Sequence, residues 1–500
     1  MIRPGHAGRR VGRTPIAVRL SGRFPTGRAR PADHNGEEFR RAPVRRRTPV
    51  QRNRMPRDLY VLPASPGQEW MWLIHHMLRD ASPYVIAGMV RIRGHVDPDA
   101  LRRSLDLLVE RHEALRTVFR MDPSGELSQV IQQAEPVGLT AYDLGAGAGT
   151  ERVREDFQDF AARPFDLSRG PLLRASLARV GPEDHVLGLA VHHIVSDGWS
   201  MRLMTSELTE LYLRLAAGRS PGLPEPPLQY ADFAVWHREW LSSAQAREDL
   251  AYWCRQLDGA SPLRLPTDAV PPGSGSAPAA AVTLGPATTV ALTETARRHG
   301  ASLFMLLLTA YAATLARFAG QQDFVLTIPV AGRSREELTR TVGFFVNTLP
   351  IRVDASGNPT LLELLRRVRL TCLEAYDHQD LPYERMVRGA AWRRDRQNTR
   401  LGPAMFALRV PLAAPQRLPG GATVEVLEPP PAAGEMDLLT ELTETPGQGL
   451  RGYLAGQPGA FRPDTLSLLA GSFTTVLTLA ATGGAVPLDE LPVHVPAARQ

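Results

Sequence analysis

Residues 184–216 leave little freedom in how this chain can fold around them. The run Asp184-His185-Val186-Leu187-Gly188-Leu189-Ala190-Val191 is short, apolar and bounded by polar residues, which predicts a buried strand. Met201, Met204, Leu208, Leu211, Tyr212 and Leu215 then recur at helical spacing, and Gly218 stands where such a helix would end. Between them lies His192-His193-Ile194-Val195-Ser196-Asp197-Gly198-Trp199-Ser200, a strand-to-helix junction that can hold a reactive side chain rigidly. Strand side chains alternate, so His192 and His193 are expected on opposite sides, with one of them reaching any given cleft. Asp197 reads either as the cap of the following helix or as a brace for the histidine. Gly198 keeps bulk away from whatever approaches.

The flanking chain reads as mixed strands and helices. A strand is expected over Val85–Arg93, a helix over 98–113, and a Pro- and Gly-rich linker over 218–227. Residues 301–318 form a long apolar stretch with Ser302 as N-cap and Gly320 just past its end. Thr309, Tyr311, Thr314 and Arg317 interrupt it, which favours a buried central helix over a membrane span. Another strand is expected over Asp323–Val330. The 500 residues suit two lobes of about 200 residues each plus extras. Cys254 and Cys372 make neither a disulfide framework nor a metal-ligand spacing, and a reducing, cytoplasmic setting fits.

Charge misleads here. Residues 1–54 hold fifteen arginines against three acids, a local +12 in a chain of net +6, so the rest is net acidic. Residues 1–57 are expected to be a disordered Arg-rich extension, with Met55 a candidate true start and a docking tail the alternative. The arm lacks aromatic interleaving and any binding motif, so nucleic acid is not an expected partner.

Six further stretches carry a family resemblance. Ser65, Gln68 and Trp72 sit in Leu62-Pro63-Ala64-Ser65-Pro66-Gly67-Gln68-Glu69-Trp70-Met71-Trp72, where Pro66, Gly67 and Trp70 depart from the usual pattern. Arg111-His112-Glu113-Ala114-Leu115-Arg116-Thr117-Val118-Phe119 matches RHExLRTxF throughout. Tyr230-Ala231-Asp232-Phe233-Ala234-Val235-Trp236, Val342-Gly343-Phe344-Phe345-Val346-Asn347-Thr348-Leu349-Pro350 and His378-Gln379-Asp380-Leu381-Pro382-Tyr383-Glu384 follow. A looser match begins at Arg394-Asp395. With HHxxxDG at 192–198, these resemble the condensation domains of nonribosomal peptide synthetases, within the chloramphenicol-acetyltransferase-like superfamily, over residues 58 to about 494.

The resemblance implies an α+β (mixed α/β) fold: two chloramphenicol-acetyltransferase-like lobes in a pseudo-dimeric V, with the active site at their interface. The N-terminal lobe would span 58–228 and the C-terminal lobe 229–500. It implies an acyltransferase that joins a carrier-bound acyl or aminoacyl thioester to an amine or hydroxyl. No intrinsic cofactor or metal is expected; phosphopantetheine arms of donor and acceptor carrier proteins would bring the substrates, unless the acceptor is a free small molecule. His193 would accept or orient the acceptor proton, His192, Asp197 and Gly198 would complete the site, and Gly198 would leave room for an arm. Trp199 would open a helix whose N–H groups face the junction. By the same resemblance Arg111 would pair with a buried Asp197, with Arg116 as a second bracing candidate. Asn347, in an apolar run, would need hydrogen-bond partners and would support the channel, while His378 would be structural. The chain reads as a free-standing member. The alternatives are an acyltransferase of the same superfamily using coenzyme A esters or soluble acceptors, and a non-catalytic recruitment module. Cyclisation relatives carry DxxxxD in place of HHxxxDG and are disfavoured.

Overall fold

The computed structural model describes residues 58–77, 84–145, 148–268, 277–389, 402–410, 416–417, 421–427 and 436–494. The expectations for residues 1–57, Met55 included, and for Arg394-Asp395 lie outside these. In chain order the first half runs β1 (Asp58–Pro63), α1 (Pro66–Met77), β2 (Val85–Arg93), α2 (Pro98–Arg111), β3 (Thr117–Met121), β4 (Leu127–Gln132), β5 (Leu139–Asp143), α3 (Thr150–Ala162), β6 (Leu173–Gly181), β7 (Asp184–His192) and α4 (Gly198–Ala216). The second half continues α5 (Tyr230–Trp240), α6 (Ala244–Leu257), β8 (Ala279–Leu284), α7 (Pro286–Arg298), α8 (Leu303–Ala319), β9 (Asp323–Val330), β10 (Asn347–Asp354), α9 (Leu361–Asp377) and α10 (Tyr383–Gly389). It ends with β11 (Ala404–Arg409), β12 (Gln416–Arg417), β13 (Thr423–Leu427), β14 (Leu438–Thr445), β15 (Gly449–Gly456) and α11 (Pro463–Ala481).

Two six-stranded sheets and one of three strands organise these elements. The first lobe's sheet has the order β12–β13–β2–β7–β6–β5, and the second lobe's has β10–β9–β11–β14–β15–β8; β1–β4–β3 form the small sheet. β7 lies between β2 and β6, and its residues from Val186 to His192 are all buried, as an uninterrupted apolar run requires of a strand covered on both faces. β8 instead alternates exposed and buried residues at the edge of its sheet.

Helix α8 is the buried centre of the second lobe. Ser302 caps it through Oγ, which accepts from the Met305 N–H at 3.2 Å, and Gly320 closes it with φ 63°. Every residue from Met305 to Ala316 is buried, against α9 and α11 among others. Helix α11 is long and apolar enough to cross a membrane. It lays Leu466, Leu469, Phe473, Val476 and Leu477 into the protein, next to α8 and β8.

Segments from beyond residue 228 complete the first lobe. β13 pairs antiparallel with β2, from Thr423 opposite Arg93 to Leu427 opposite Met89. Leu228, Tyr230, Phe233, Ala234, Leu338, Val342 and Phe345 share one hydrophobic core with β2, β6, β7 and α4. Residues near 340 are thereby brought onto the HHIVSDG junction.

Candidate active site

The junction is built as the strand-and-helix reading predicts. β7 ends at His192, residues His193–Val195 make a single 3-10 turn, and α4 begins at Gly198 with Asp197 as its cap. The two histidines diverge. His192 is fully buried: its Nδ1 accepts the Ile194 N–H at 3.1 Å, so the neutral ring carries its proton on Nε2, 3.2 Å from His75 Nδ1. Burial first, then the neighbouring His75 and His193, pushes the His192 pKa down to about 3, so this imidazole is neutral at physiological pH.

His193 is partly exposed and its ring stands edge-on to Phe344, centroids 5.1 Å apart. Its backbone N–H donates to Tyr84 O at 2.7 Å. Burial lowers its pKa against the opposing pull of the Asp197 carboxylate. Its Nδ1 is buried with no hydrogen-bond partner among the described residues, and the backbone carbonyls of His193 and Ser196 near the ring favour its protonated form against the effect of burial.

Asp197 is both cap and brace. Oδ1 accepts the Ser200 N–H at 2.7 Å; Oδ2 accepts Arg333 Nη1 at 2.7 Å and the Phe345 N–H at 3.0 Å. Arg333 spends its remaining donors on Ser200 Oγ (2.8 Å) and the carbonyls of Ala331, Leu338 and Thr341, and its guanidinium lies 4.2 Å from the Phe345 ring centre. The pair is about as buried as an ion pair can be, with side chains 3% and 2% exposed. Such a pair holds only with its hydrogen bonds filled, as they are here.

The expected Arg111–Asp197 pair does not form. Arg111 ends α2 and pairs with Glu207 at 2.8 Å, ten residues beyond Asp197 and hence about 15 Å along α4. His112 Nε2 meets the same carboxylate at 2.7 Å. Arg116 donates to Gln132 O at 2.6 Å and does not reach Asp197 either. Both arginines line a separate cleft of about 490 Å³ with Glu110, Glu113 and Glu225. Arg333 was the residue to find. Its sequence signal is the Gly332-Arg333 pair after a buried strand: Gly332 has φ 62°, and a Cβ there would sit 1.8 Å from the Phe345 carbonyl oxygen. Only glycine lets that backbone approach closely enough to aim Arg333 at Asp197.

Gly198 is exposed, and a Cβ built on it meets no heavy atom of the described residues within 4 Å. Trp199 donates from Nε1 to Thr339 O at 2.9 Å, tying α4 to the same segment as Arg333. Asn347 has all the partners its burial demands: Nδ2 donates to the carbonyls of Gln379 and Leu381, and Oδ1 accepts from Thr348 N and Tyr383 N. It thereby fastens the segment His378–Glu384 to β10. His378 Nδ1 lies 2.8 Å from Asp249 Oδ1 and its ring stacks on Tyr252, an anchoring geometry. Among the described residues no group of three or more His, Cys, Asp or Glu could hold a metal.

The condensation-domain family profile matches residues 59–494. A linear gramicidin synthase polypeptide of Brevibacillus parabrevis is 39% identical over 452 residues, which cover 88% of this chain and 6% of that much longer protein. Chondramide synthase of Chondromyces crocatus is 36% identical over 423 residues, 83% of this chain and 11% of its own length. Among solved structures, the X-domain from teicoplanin biosynthesis in complex with OxyB superposes with a TM-score of 0.77 at 27% identity, covering 90% of this chain and 99% of that one. SgcC5 from Streptomyces globisporus, solved with a naphthyl-1,2-ethanediol and sucrose, gives 0.70 at 28% identity over 85% of this chain and all of its own. These share the two-lobed mixed α/β architecture described above, and with nearly the whole folded chain matched, this protein belongs to the condensation domain family of nonribosomal peptide biosynthesis.

Proposed function

We propose that this chain joins an acyl or aminoacyl thioester, delivered on a phosphopantetheine arm by a carrier protein, to an amine or hydroxyl acceptor held at His193. The reading rests on one observation: His193 is a partly exposed imidazole beside the open face at Gly198. The acceptor nitrogen or oxygen attacks the thioester carbonyl, forming C–N or C–O as C–S breaks. Nε2 of His193 takes the acceptor's proton or holds it in line, and the proton leaves with the pantetheine thiol. Base help of this kind is worth about 10²–10⁴-fold, and positioning can match it. Asp197 caps Ser200, so the first-turn amides left to meet developing negative charge are those of Gly198 and Trp199. His192, turned away onto His75, braces the turn rather than moving a proton. The setting is that of a cytoplasmic assembly line.

A second reading, a soluble alcohol as acceptor, draws on the diol in the SgcC5 structure. A third, recruitment of a partner enzyme, draws on the X-domain complex with OxyB; the complete HHIVSDG set here favours chemistry. Intact-protein mass spectrometry of an acceptor-loaded carrier, mixed with a loaded donor carrier, separates them. Mass transfer by wild type and not by His193→Ala supports condensation through His193. Transfer by both reduces His193 to orientation; turnover of free alcohols alone selects the second reading, and no turnover with tight partner binding the third.

A further inference from the structure

Phe344 is held against His193 from three sides, and one of the holders has no part in the chemistry above. Gly343 is gripped by Ser200, whose Oγ donates to the Gly343 carbonyl and accepts its N–H. Phe345 N–H is fixed by Asp197. The carbonyl of Phe344 itself accepts the hydroxyl of Tyr230 at 2.7 Å, across 114 residues of chain. Tyr230 is buried, and burial pushes its hydroxyl pKa up, so it keeps the proton that this bond needs. With that proton committed, Ser65 Oγ at 2.8 Å must be the donor to Tyr230. Ser65 Oγ in turn accepts Gln68 N–H, and Gln68 Nε2 donates at 3.2 Å to the carbonyl of Ile194, the residue after His193. The hydrogen bonds thus lead from His193's neighbour back to the aromatic ring that touches His193. Two glycines make the fit. A Cβ on Gly343 would lie 2.0 Å from the Tyr230 ring, and one on Gly67 would press on the Phe344 ring at 3.0 Å.

We propose that Tyr230 is a positioning residue for His193: its hydroxyl fixes the Phe344 carbonyl, and through it the ring that sets the orientation of the imidazole. The inference rests on His193 being the acceptor-facing group. It assigns no contact between Tyr230 and substrate, so its loss should lower kcat while leaving KM near the wild-type value.

The test compares wild type, Tyr230→Phe, Ser65→Ala and Ser65→Thr, with Tyr252→Phe as a control. The Tyr252 hydroxyl is buried with no hydrogen-bond partner among the described residues, and its removal should change nothing. Each protein is assayed for transfer between loaded carriers, and the His193 ring proton shifts, assigned by their loss in His193→Gln, are read by NMR. Tyr230→Phe is expected to lower kcat about 10-fold or more, since small misplacements at a reacting group carry costs of that order. It should also move the His193 shifts that depend on the Phe344 ring, Ser65→Ala should do so more weakly, and Ser65→Thr should restore them. Unmoved shifts and a kcat within twofold of wild type would overturn the proposal. If no variant and not even wild type transfers an acyl group, the functional reading fails alone, because the shifts still report whether Tyr230 positions His193.

Discussion

Aspartate 197 shows how little a single residue's identity says about its partner. Its carboxylate is shared between a helix cap and a buried guanidinium, so removing that guanidinium should cost more than removing Arg111, the partner expected in its place. Arg333→Ala strands the carboxylate and should cost about 3–5 kcal/mol in urea unfolding. Arg111→Ala leaves Glu207 with His112 Nε2 still at 2.7 Å and should cost less, about 1–3 kcal/mol. A larger loss for Arg111 than for Arg333 would contradict the pairing described here. His192 makes a separate prediction. Its pKa falls from 6.5 to about 3 on folding, so the unfolded chain binds the proton more readily; this site contributes stability above pH 6.5 that is lost as pH drops toward 3. Nitrogen-15 NMR of the ring should find the Nε2–H tautomer still in place at pH 5, and an imidazolium there would refute it.

Among the elements, what could be read from the sequence and what could not divides along the range of the interactions involved. Val85–Arg93 and Asp323–Val330 appear as expected because β-branched and apolar runs bounded by polar residues carry their own signal. Ser302 and Gly320 end α8 as read, because caps act within one turn. Helix α11 opens on Pro463 in its first turn, where a missing N–H breaks no intrahelical bond. Arg333 lay beyond such reasoning: Gly332-Arg333 marks a turn that only glycine can make, but with 58 arginines and no lysine nothing local ties that turn to Asp197, 136 residues away. HHIVSDG was legible because its parts are contiguous. Glycines give the same lesson in a testable form. Gly332→Ala drives a Cβ into the Phe345 carbonyl and should lower Tm by several degrees, whereas Gly198→Leu meets open space and should leave Tm unchanged while impairing turnover. Differential scanning calorimetry and the carrier assay read the two effects apart; a fully active Gly198→Leu would exclude an arm passing that face.

In the whole molecule the first lobe is not a continuous stretch of chain. β13 joins its sheet beside β2 through five half-buried residues, Thr423–Leu427, held by ladder hydrogen bonds and the half-exposed Arg93–Glu425 pair. A surface pair of that kind adds about 1 kcal/mol or less. Native-state hydrogen exchange should therefore find amides of β13 opening well before those of Val186–Val191 in β7, the sheet's enclosed strand. Equal protection in both would mean that the added strand is as firmly held as the core.

The clasp of Arg333, Gly343 and Phe345 on Asp197 and Ser200 also bears on how such proteins can be recombined. A lobe carrying HHIVSDG cannot be transplanted as residues 58–228 alone, because the charge that balances its aspartate and the ring that faces its histidine travel with 331–345. Chimeras cut between the two would inherit the HHIVSDG loop without the counterion of its aspartate. The unit of exchange is the loop together with its distant clasp.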